Sequence, residues 1–370
     1  MVRVPAILTV LLFLSHPAGA QDTIRLQLIF TGDIMGHDSQ IESAYDPATD
    51  RYDYSSYFRN LPELGTADIT LGNLEVNLAG PPYKGYPQFS SPDALAISLK
   101  EAGFDILVNA NNHALDRRKK GLERTHRILD SLDLIHTGTF RDSLERAVHY
   151  PLIFEKKGVR FALLNYSYGT NGLTVQPPNI VNYIDTTQIA ADIEKARLAS
   201  PDLLIAFMHW GNEYERTENR TQRELARFLL AHGTDVIIGS HPHVVQPIER
   251  SPEGKLIVWS MGNLISNQRE RYRNGGIIVS LEVEKNPEQT FVKSSSYLPV
   301  YVCKPVEGGK TVFTLTSDNH LNGEPSDLSS QSVLEMKLFI EDTVENIPGY
   351  EADGSGWYKE KPGEAGKKGD

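Results

Sequence analysis

The stretch Gly239-Ser240-His241-Pro242-His243 comes directly after the apolar run Val236-Ile237-Ile238 and sets two imidazoles two residues apart. Proline biases the residue before it toward an extended backbone, and in an extended segment residues i and i+2 face the same side. His241 and His243 are therefore expected to project together from a strand end, each within reach of a different metal ion. Alone, the pair reads better as a turn with two surface histidines. It gains weight from the residues just past the other strand-like runs: Gly32-Asp33 and then His37, Asn73-Leu74-Glu75, Asn111-Asn112-His113, His209-Trp210 and Gly262-Asn263. Mixed oxygen and imidazole donors without thiolate suit Mn, Zn or Fe(II) better than Cu(I), and are too rich in imidazole for a dedicated Ca or Mg site. The donors outnumber one tetrahedral shell, so two ions about 3.5–4 Å apart would use them economically.

Each residue has a functional role set against a plainer one. Asp33 is a ligand or a turn aspartate, and Glu75 a ligand or part of a surface turn. His37 joins the same ion as Asp33 only if the intervening loop curls helically. Asn112 can offer its carbonyl oxygen to a metal. His113 beside it would point toward a leaving group as general acid, with Asp116 about one turn on to fix its tautomer. The plainer account of Asn111-Asn112-His113 is the N-cap of the following helix. Asn73 and Asn263 belong behind the ligands rather than among them. Tyr166, Tyr168 and Asn171 form a substrate wall or pack as aromatic core. His126, His136, His149, His232 and His320 read as ordinary histidines.

These residues need strands to position them. Runs at 24–30, 67–71, 104–110, 160–166, 202–208, 235–239 and 255–261 read as strands. Helical patterns at 91–103, 117–132, 186–199 and 218–233 separate many of them. In the last, Leu225, Phe228 and Leu229 fall on one face and Gly233 stops the helix. Strands alternating with helices predict an α/β layer fold, and such sheets bind ligands outside the carboxyl ends of their strands. Residues 331–344 read as a late helix, and the Gly- and charge-rich end as disordered. The resulting division is a signal peptide at 1–20, one large domain at 21–320, a C-terminal helical appendage at 321–347 and a disordered tail at 348–370.

Residues 1–20 have an early arginine, a short apolar stretch and an Ala18-Gly19-Ala20 ending, the pattern of a cleavable secretory signal. The chain is therefore expected to be exported and soluble, periplasmic or extracellular. A net charge of −11 with no basic stripe argues against nucleic acid as a partner. Cys303 is the only cysteine, which excludes an internal disulfide and a thiolate metal site. No Gly-x-Ser-x-Gly, P-loop or His-Glu-x-x-His motif occurs, so serine hydrolase, nucleotide kinase and zincin chemistry have no foothold.

Six motifs in order, "FTGDIM", "GNLEVNL", "NANNHALD", "MHWGNEY", "GSHPHVVQ" and "SMGNLI", resemble the CapA family of capsule-synthesis proteins associated with poly-γ-glutamate. The resemblance runs from Leu26 to Val279. That family is itself similar to the calcineurin-like metallophosphoesterases, which implies two β-sheets flanked by helices in a four-layer sandwich, with two metals at the strand ends. By this likeness Asp33, Glu75, Asn112, His209, His241 and His243 match metal-ligand motifs, and His113 matches the catalytic histidine. Two departures stand out. Asp33-x-x-x-His37 and Asn73-Leu74-Glu75 replace the usual Asp-x-His and Gly-Asp-x-x-Asp, so the first metal rests on the poorest match. An arginine often found after Gly-Asp is also missing. The resemblance implies an exported, metal-dependent hydrolase-like protein of capsule, poly-γ-glutamate or envelope-polymer biosynthesis. Metal-bound hydroxide would attack a phosphoester or γ-glutamyl amide. Its partners would be an anionic or peptide-like envelope polymer or a small phosphoester, together with capsule-synthesis machinery subunits. The alternatives are a non-catalytic polymer-binding or assembly component of capsule export, and a periplasmic nucleotidase or phosphoesterase.

Overall fold

Leu26, Leu28 and Phe30 lie in one buried cluster while Ile29, between them, lies in another. This is the two-residue alternation of a strand covered on both faces. The computed structural model describes residues 23–251, 253–317 and 328–361. The leader-like segment 1–20, His320, residues 321–327 and residues 362–370 lie outside them.

In chain order the principal strands begin with β1 (Ile24–Ile34), β2 (Ile69–Leu74), β3 (Ile106–Val108), β4 (Ile135–Thr137), β5 (Leu152–Lys156), β6 (Val159–Ser167), β7 (Leu203–His209) and β8 (Val236–Ser240). They continue with β9 (Ile248–Arg250), β10 (Leu256–Val258), β11 (Asn263–Ile265), β12 (Gly275–Lys285), β13 (Thr290–Cys303), β14 (Thr314–Thr316), β15 (Tyr350–Ala352) and β16 (Tyr358–Glu360). The helices are α1 (Asp38–Ala44), α2 (Ala94–Glu101), α3 (Arg118–Ser131), α4 (Ser143–His149), α5 (Thr186–Leu198), α6 (Arg220–Ala231) and α7 (Ser330–Asn346).

One sheet has the order β15-β16-β13-β12-β1-β2-β3-β4, with β11 also paired to β1 and β14 to β13. The other runs β9-β10-β8-β7-β6-β5. Strands β1 to β4 are mutually parallel, as are β6, β7, β8 and β10. Phe30, Leu71 and Val108 of the first sheet share a core with Phe161, Ile205 and Ile238 of the second. On the outer face of the first sheet Ile29 and Leu107 meet Leu95 and Leu99 of α2. On the outer face of the second, Leu164 and Ala206 meet Ile193 of α5 and Leu229 of α6. The fold is thus α/β, two sheets flanked by helices in four layers, as the motif pattern implied. Burying each such large aliphatic side chain contributes about 1.5–3 kcal/mol, which holds the strand ends at the rim of the two sheets in fixed relation.

Two expectations for the C-terminal part need correction. Helix α7 is no appendage, because Met336, Phe339 and Ile340 are buried in the core between the sheets. The first part of the tail expected to be disordered forms the β15–β16 hairpin, and β16 pairs with β13. Composition misled here: Gly354 and Gly356 are turn glycines with positive φ. The flanking tyrosines supply the packing, with Tyr358 stacked on Tyr297 at 5.0 Å.

Candidate metal centre

The carboxyl ends of β1, β2, β7 and β8 converge, and the polar side chains at those ends are buried together. Asp33, Glu75 and His209 are fully buried, and His241 and His243 nearly so. Ligand atoms of Asp33, Glu75 and His209 lie within 4.8 Å of one another, as do those of Glu75, His241 and His243. Glu75 is common to both groups.

Asn73 ties the carboxylates together. Its Nδ2 donates to Asp33 Oδ1 at 2.8 Å and to Glu75 Oε2 at 3.2 Å, while its Oδ1 accepts from Asn111 Nδ2 at 3.0 Å. His209 Nδ1 faces Ser240 Oγ at 2.9 Å. Its Nε2 faces Asn112 Oδ1 at 2.9 Å and Glu75 Oε1 at 3.6 Å. His243 Nδ1 lies 3.0 Å from both Asn263 Oδ1 and Asp33 Oδ2, which directs Nε2 toward Glu75 Oε1, 3.8 Å away. An outer partner on one imidazole nitrogen that frees the other toward a common point is the usual support of a metal ligand. Asn263 sits on the far side of the His243 ring from Glu75, and Asn73 bridges Asp33 and Glu75 through its amide.

The backbone around His241 differs from the extended segment that Pro242 suggested. His241 has φ +99° and His243 φ +57°. Both residues occupy the left-handed region, uncommon for a side-chain-bearing residue. The His241 N–H donates to Asp33 Oδ2 at 3.2 Å, and Tyr214 N–H donates to Pro242 O at 2.8 Å. These contacts curl the loop, so the imidazoles converge through a tight turn rather than by strand alternation. The loop follows a close approach: a Cβ on Gly239 would lie 1.9 Å from Trp259 O, so only glycine fits there.

The electrostatics show how demanding the cluster is. Burial pushes Asp33 up, but the hydrogen bond and charge of His243, with His209 and Asn73, hold its carboxyl well below the usual range. Burial and the neighbouring Asp33 push Glu75 well above it. Burial, reinforced by neighbouring histidines, drives His209 well below 6.5 and His241 down to about 3. Glu75 Oε1 and His241 Nδ1 are buried without a hydrogen-bond partner. A buried polar atom without a partner asks for an explanation, and a bound ion is one that would serve both atoms. Neutral imidazoles, two carboxylates and the Asn112 amide oxygen are the donor set of a borderline divalent cation, so these residues fit the group the motifs implied.

His113 stands beside the cluster. Its Nδ1 lies 2.7 Å from Asp116 Oδ2, which also accepts from Phe89 N–H at 2.7 Å. Helix α3 starts at Arg118, too far along for Asn111-Asn112-His113 to cap it. His37 falls in neither group. Its Nδ1 faces Gln40 Oε1 at 3.0 Å and Asn267 N–H at 3.2 Å, its ring packs edge-on against Phe89, and burial lowers its pKa to about 4. The loop after Asp33 does not curl helically, because His37 is itself the N-cap of α1. Tyr168 lies over the rings of His209 and His241 at 6.2 and 4.4 Å and is half exposed, the position of a wall. Tyr166 is buried and donates to Asp192 Oδ2, so it belongs to the core. Asn171 Oδ1 accepts from Asn112 Nδ2 at 3.3 Å.

Sequence reasoning missed Asn111, Ser240, Phe89 and Tyr214. The first two adjoin quoted ligands and were open to view. Phe89, at 4.7 Å from the His113 ring, and Tyr214, at 6.2 Å from that of His243, carry no signal short of the fold.

Fold and site together define an α/β sandwich with a buried histidine–carboxylate centre suited to divalent cations. The family model described as "Bacterial capsule synthesis protein PGA_cap" matches residues 27–268, and the chain belongs to that family. It is 29% identical over 271 residues to the capsule biosynthesis protein CapA of Bacillus anthracis, which covers 68% of this chain and 62% of that protein. It is 27% identical over 272 residues to the PGA biosynthesis protein CapA of Bacillus subtilis (strain 168), covering 70% and 68% respectively. The chain thus spans less than two thirds of the length of the first relative. Among solved structures it is similar to the calcineurin-like phosphoesterase YfkN from Bacillus subtilis, with a TM-score of 0.45, 13% identity, and coverage of 88% of this chain and 99% of that one. No helix among the described residues is long and apolar enough to cross a membrane.

Proposed function

We propose that this member of the capsule-synthesis family is an exported, metal-dependent hydrolase acting on a phosphoester or a γ-glutamyl amide in capsule or envelope-polymer metabolism. The observation that carries the reading is the pair of buried, unpartnered atoms, Glu75 Oε1 and His241 Nδ1, inside a cluster with two ligand triads. Asp33, Glu75, Asn112 and His209 would hold one ion, and Glu75, His241 and His243 the other. When bound, divalent ions supply Lewis acidity and lower the pKa of a water.

The chain's own residues do the rest. Asp116 Oδ2 accepts the Nδ1 proton of His113 and so fixes the ring; a second proton, on Nε2 of the imidazolium, is the one that would pass to the departing group. Phe89, packed edge-on against His113, fixes the ring plane and keeps bulk water off that side. Tyr168 covers His209 and His241 and narrows the approach. The leader-like residues 1–20 support export, and the family supports the polymer context.

Purified protein is expected to contain a divalent metal by elemental analysis. It should hydrolyse a member of a panel of phosphoesters and γ-glutamyl peptides, lose that activity on chelation and regain it with Mn or Zn. Turnover that persists in chelator would overturn the reading. A metal-loaded protein that binds polymer without cleaving any substrate would assign it to assembly instead.

A further inference from the structure

The segment 266–274, Ser-Asn-Gln-Arg-Glu-Arg-Tyr-Arg-Asn, carries three alternate arginines in a chain of net charge −11. It borders the metal centre through Arg273 O, which accepts from Asn263 Nδ2 at 2.8 Å, the same Asn263 that faces His243 Nδ1, while Asn267 N–H anchors the segment on His37 Nδ1.

The arginines near this segment are not equivalent. Arg271 is held by two hydrogen bonds to Asp342, and Arg216 packs on Tyr272 and donates to Asp342 O. Arg273 instead sits over the Tyr214 ring, its guanidinium carbon 3.3 Å from the centroid. Its only ion-pair contact among the described residues is Glu270, 3.6 Å away, whose carboxylate is 66% exposed. Tyr214 in turn faces His243 with ring centroids 6.2 Å apart. A permanently charged planar fork is thus held one aromatic ring from a candidate metal ligand, with hydrogen-bonding capacity to spare.

We propose that Arg273, seated on Tyr214, is the substrate-anion receptor of this centre, taking a carboxylate or phosphate oxyanion adjacent to the bond being cleaved. The proposal rests on the hydrolase reading for its substrate. A guanidinium pairs with either oxyanion through two parallel N–H bonds, and the aromatic face holds it in place without neutralising it. In an acidic chain, such a local cation is what lets an anionic substrate approach.

Titration calorimetry of the full chain with inorganic phosphate and with glutarate, alongside metal content on the same samples, tests this. Arg273→Gln is expected to weaken one of the two probes about tenfold or more, and the probe affected names the oxyanion. Arg273→Lys should recover part of the loss, and Tyr214→Leu, which releases the guanidinium, should reproduce most of it. Arg273→Met keeps the packed stem without the charge and decides the question should the glutamine variant misfold. If both probes bind the uncharged variants within about twofold of the native protein, or neither binds the native protein, the assignment is overturned. Anion affinity that falls in a protein holding no metal would sustain Arg273 and sink the hydrolase reading. Retained metal and turnover with unchanged anion affinity would do the reverse.

Discussion

Asp33 and Glu75 share one amide, the Nδ2 of Asn73, yet their carboxyls are driven in opposite directions, Asp33 below the usual range and Glu75 above it. Asp33 is answered by His243 at 3.0 Å, whereas Glu75 Oε1 has no hydrogen-bond partner. Glu75 is also the one residue both ligand groups need. Glu75→Gln, an isosteric change, is therefore expected to abolish binding at both positions rather than halve it. Elemental analysis after dialysis measures this. A variant that keeps half the native metal would show that Glu75 serves one ion only.

The Asn263 side chain reaches the centre through His243, whose Nδ1 its Oδ1 faces at 3.0 Å. Outer partners of this kind typically matter about 10–100-fold in metal affinity. Asn263→Ala should weaken metal binding by about that factor in competition with a chromogenic chelator, with the stoichiometry preserved at saturating metal.

His113 and Asp116 form a buried pair at 2.7 Å. An amide in place of the carboxylate can donate as well as accept, so the Nδ1–H form and the ring orientation are no longer fixed and Nε2 is no longer held toward the departing group. Asp116→Asn should lower kcat by about 10²–10⁴-fold, with little change in metal content. A drop in metal content of the same size would make the pair part of the scaffold instead.

The layer order and the strand ends were legible because both rest on local patterning. β-branched runs such as Val236-Ile237-Ile238 mark buried strands, and polar residues directly after them mark the rim. Asp33, Glu75, Asn112, His209, His241 and His243 came together for that reason. His37 could not be placed from local pattern because its setting depends on a distant loop: the N–H of Asn267, 230 positions away, meets its ring. The turn at His241 was misread because Pro242 states only a local preference, while the contacts with Asp33 and Tyr214 that override it are tertiary. Tyr214 and Arg273 lie 59 positions apart and meet only in the folded chain.

Stability should depend on pH through buried histidines outside the centre as well as within it. His136 is lowered to about 4, chiefly by burial and then by His126. Between pH 6.5 and 4 the unfolded chain takes up a proton that the folded protein refuses, so unfolding becomes easier as pH falls through that window. One such histidine gives a slope of about 1.4 kcal/mol per pH unit. His136→Gln should flatten the acid side of the stability curve of the chelator-treated protein by about that slope, as read from urea midpoints at about pH 4.5–6.5. An unchanged slope would mean that His136 protonates normally in the fold.

The C-terminal hairpin offers the sharpest test of the packing. Arg250 of β9 meets Glu360 of β16 through two hydrogen bonds of 2.7 and 2.6 Å, and the Arg250 side chain is only 8% exposed. Glu360 also accepts from Ser295 Oγ at 2.9 Å, so one carboxylate joins both sheets. Removing one partner of a buried pair leaves the other charge without compensation and costs about 3–5 kcal/mol. Glu360→Ala should therefore destabilise the protein by about 3 kcal/mol in urea unfolding, and Arg250→Met with Glu360→Leu should restore most of the loss by leaving no buried charge. A Glu360→Ala variant within about 0.5 kcal/mol of native would mean that the hairpin is not docked in solution, as the glycine-rich sequence alone suggested.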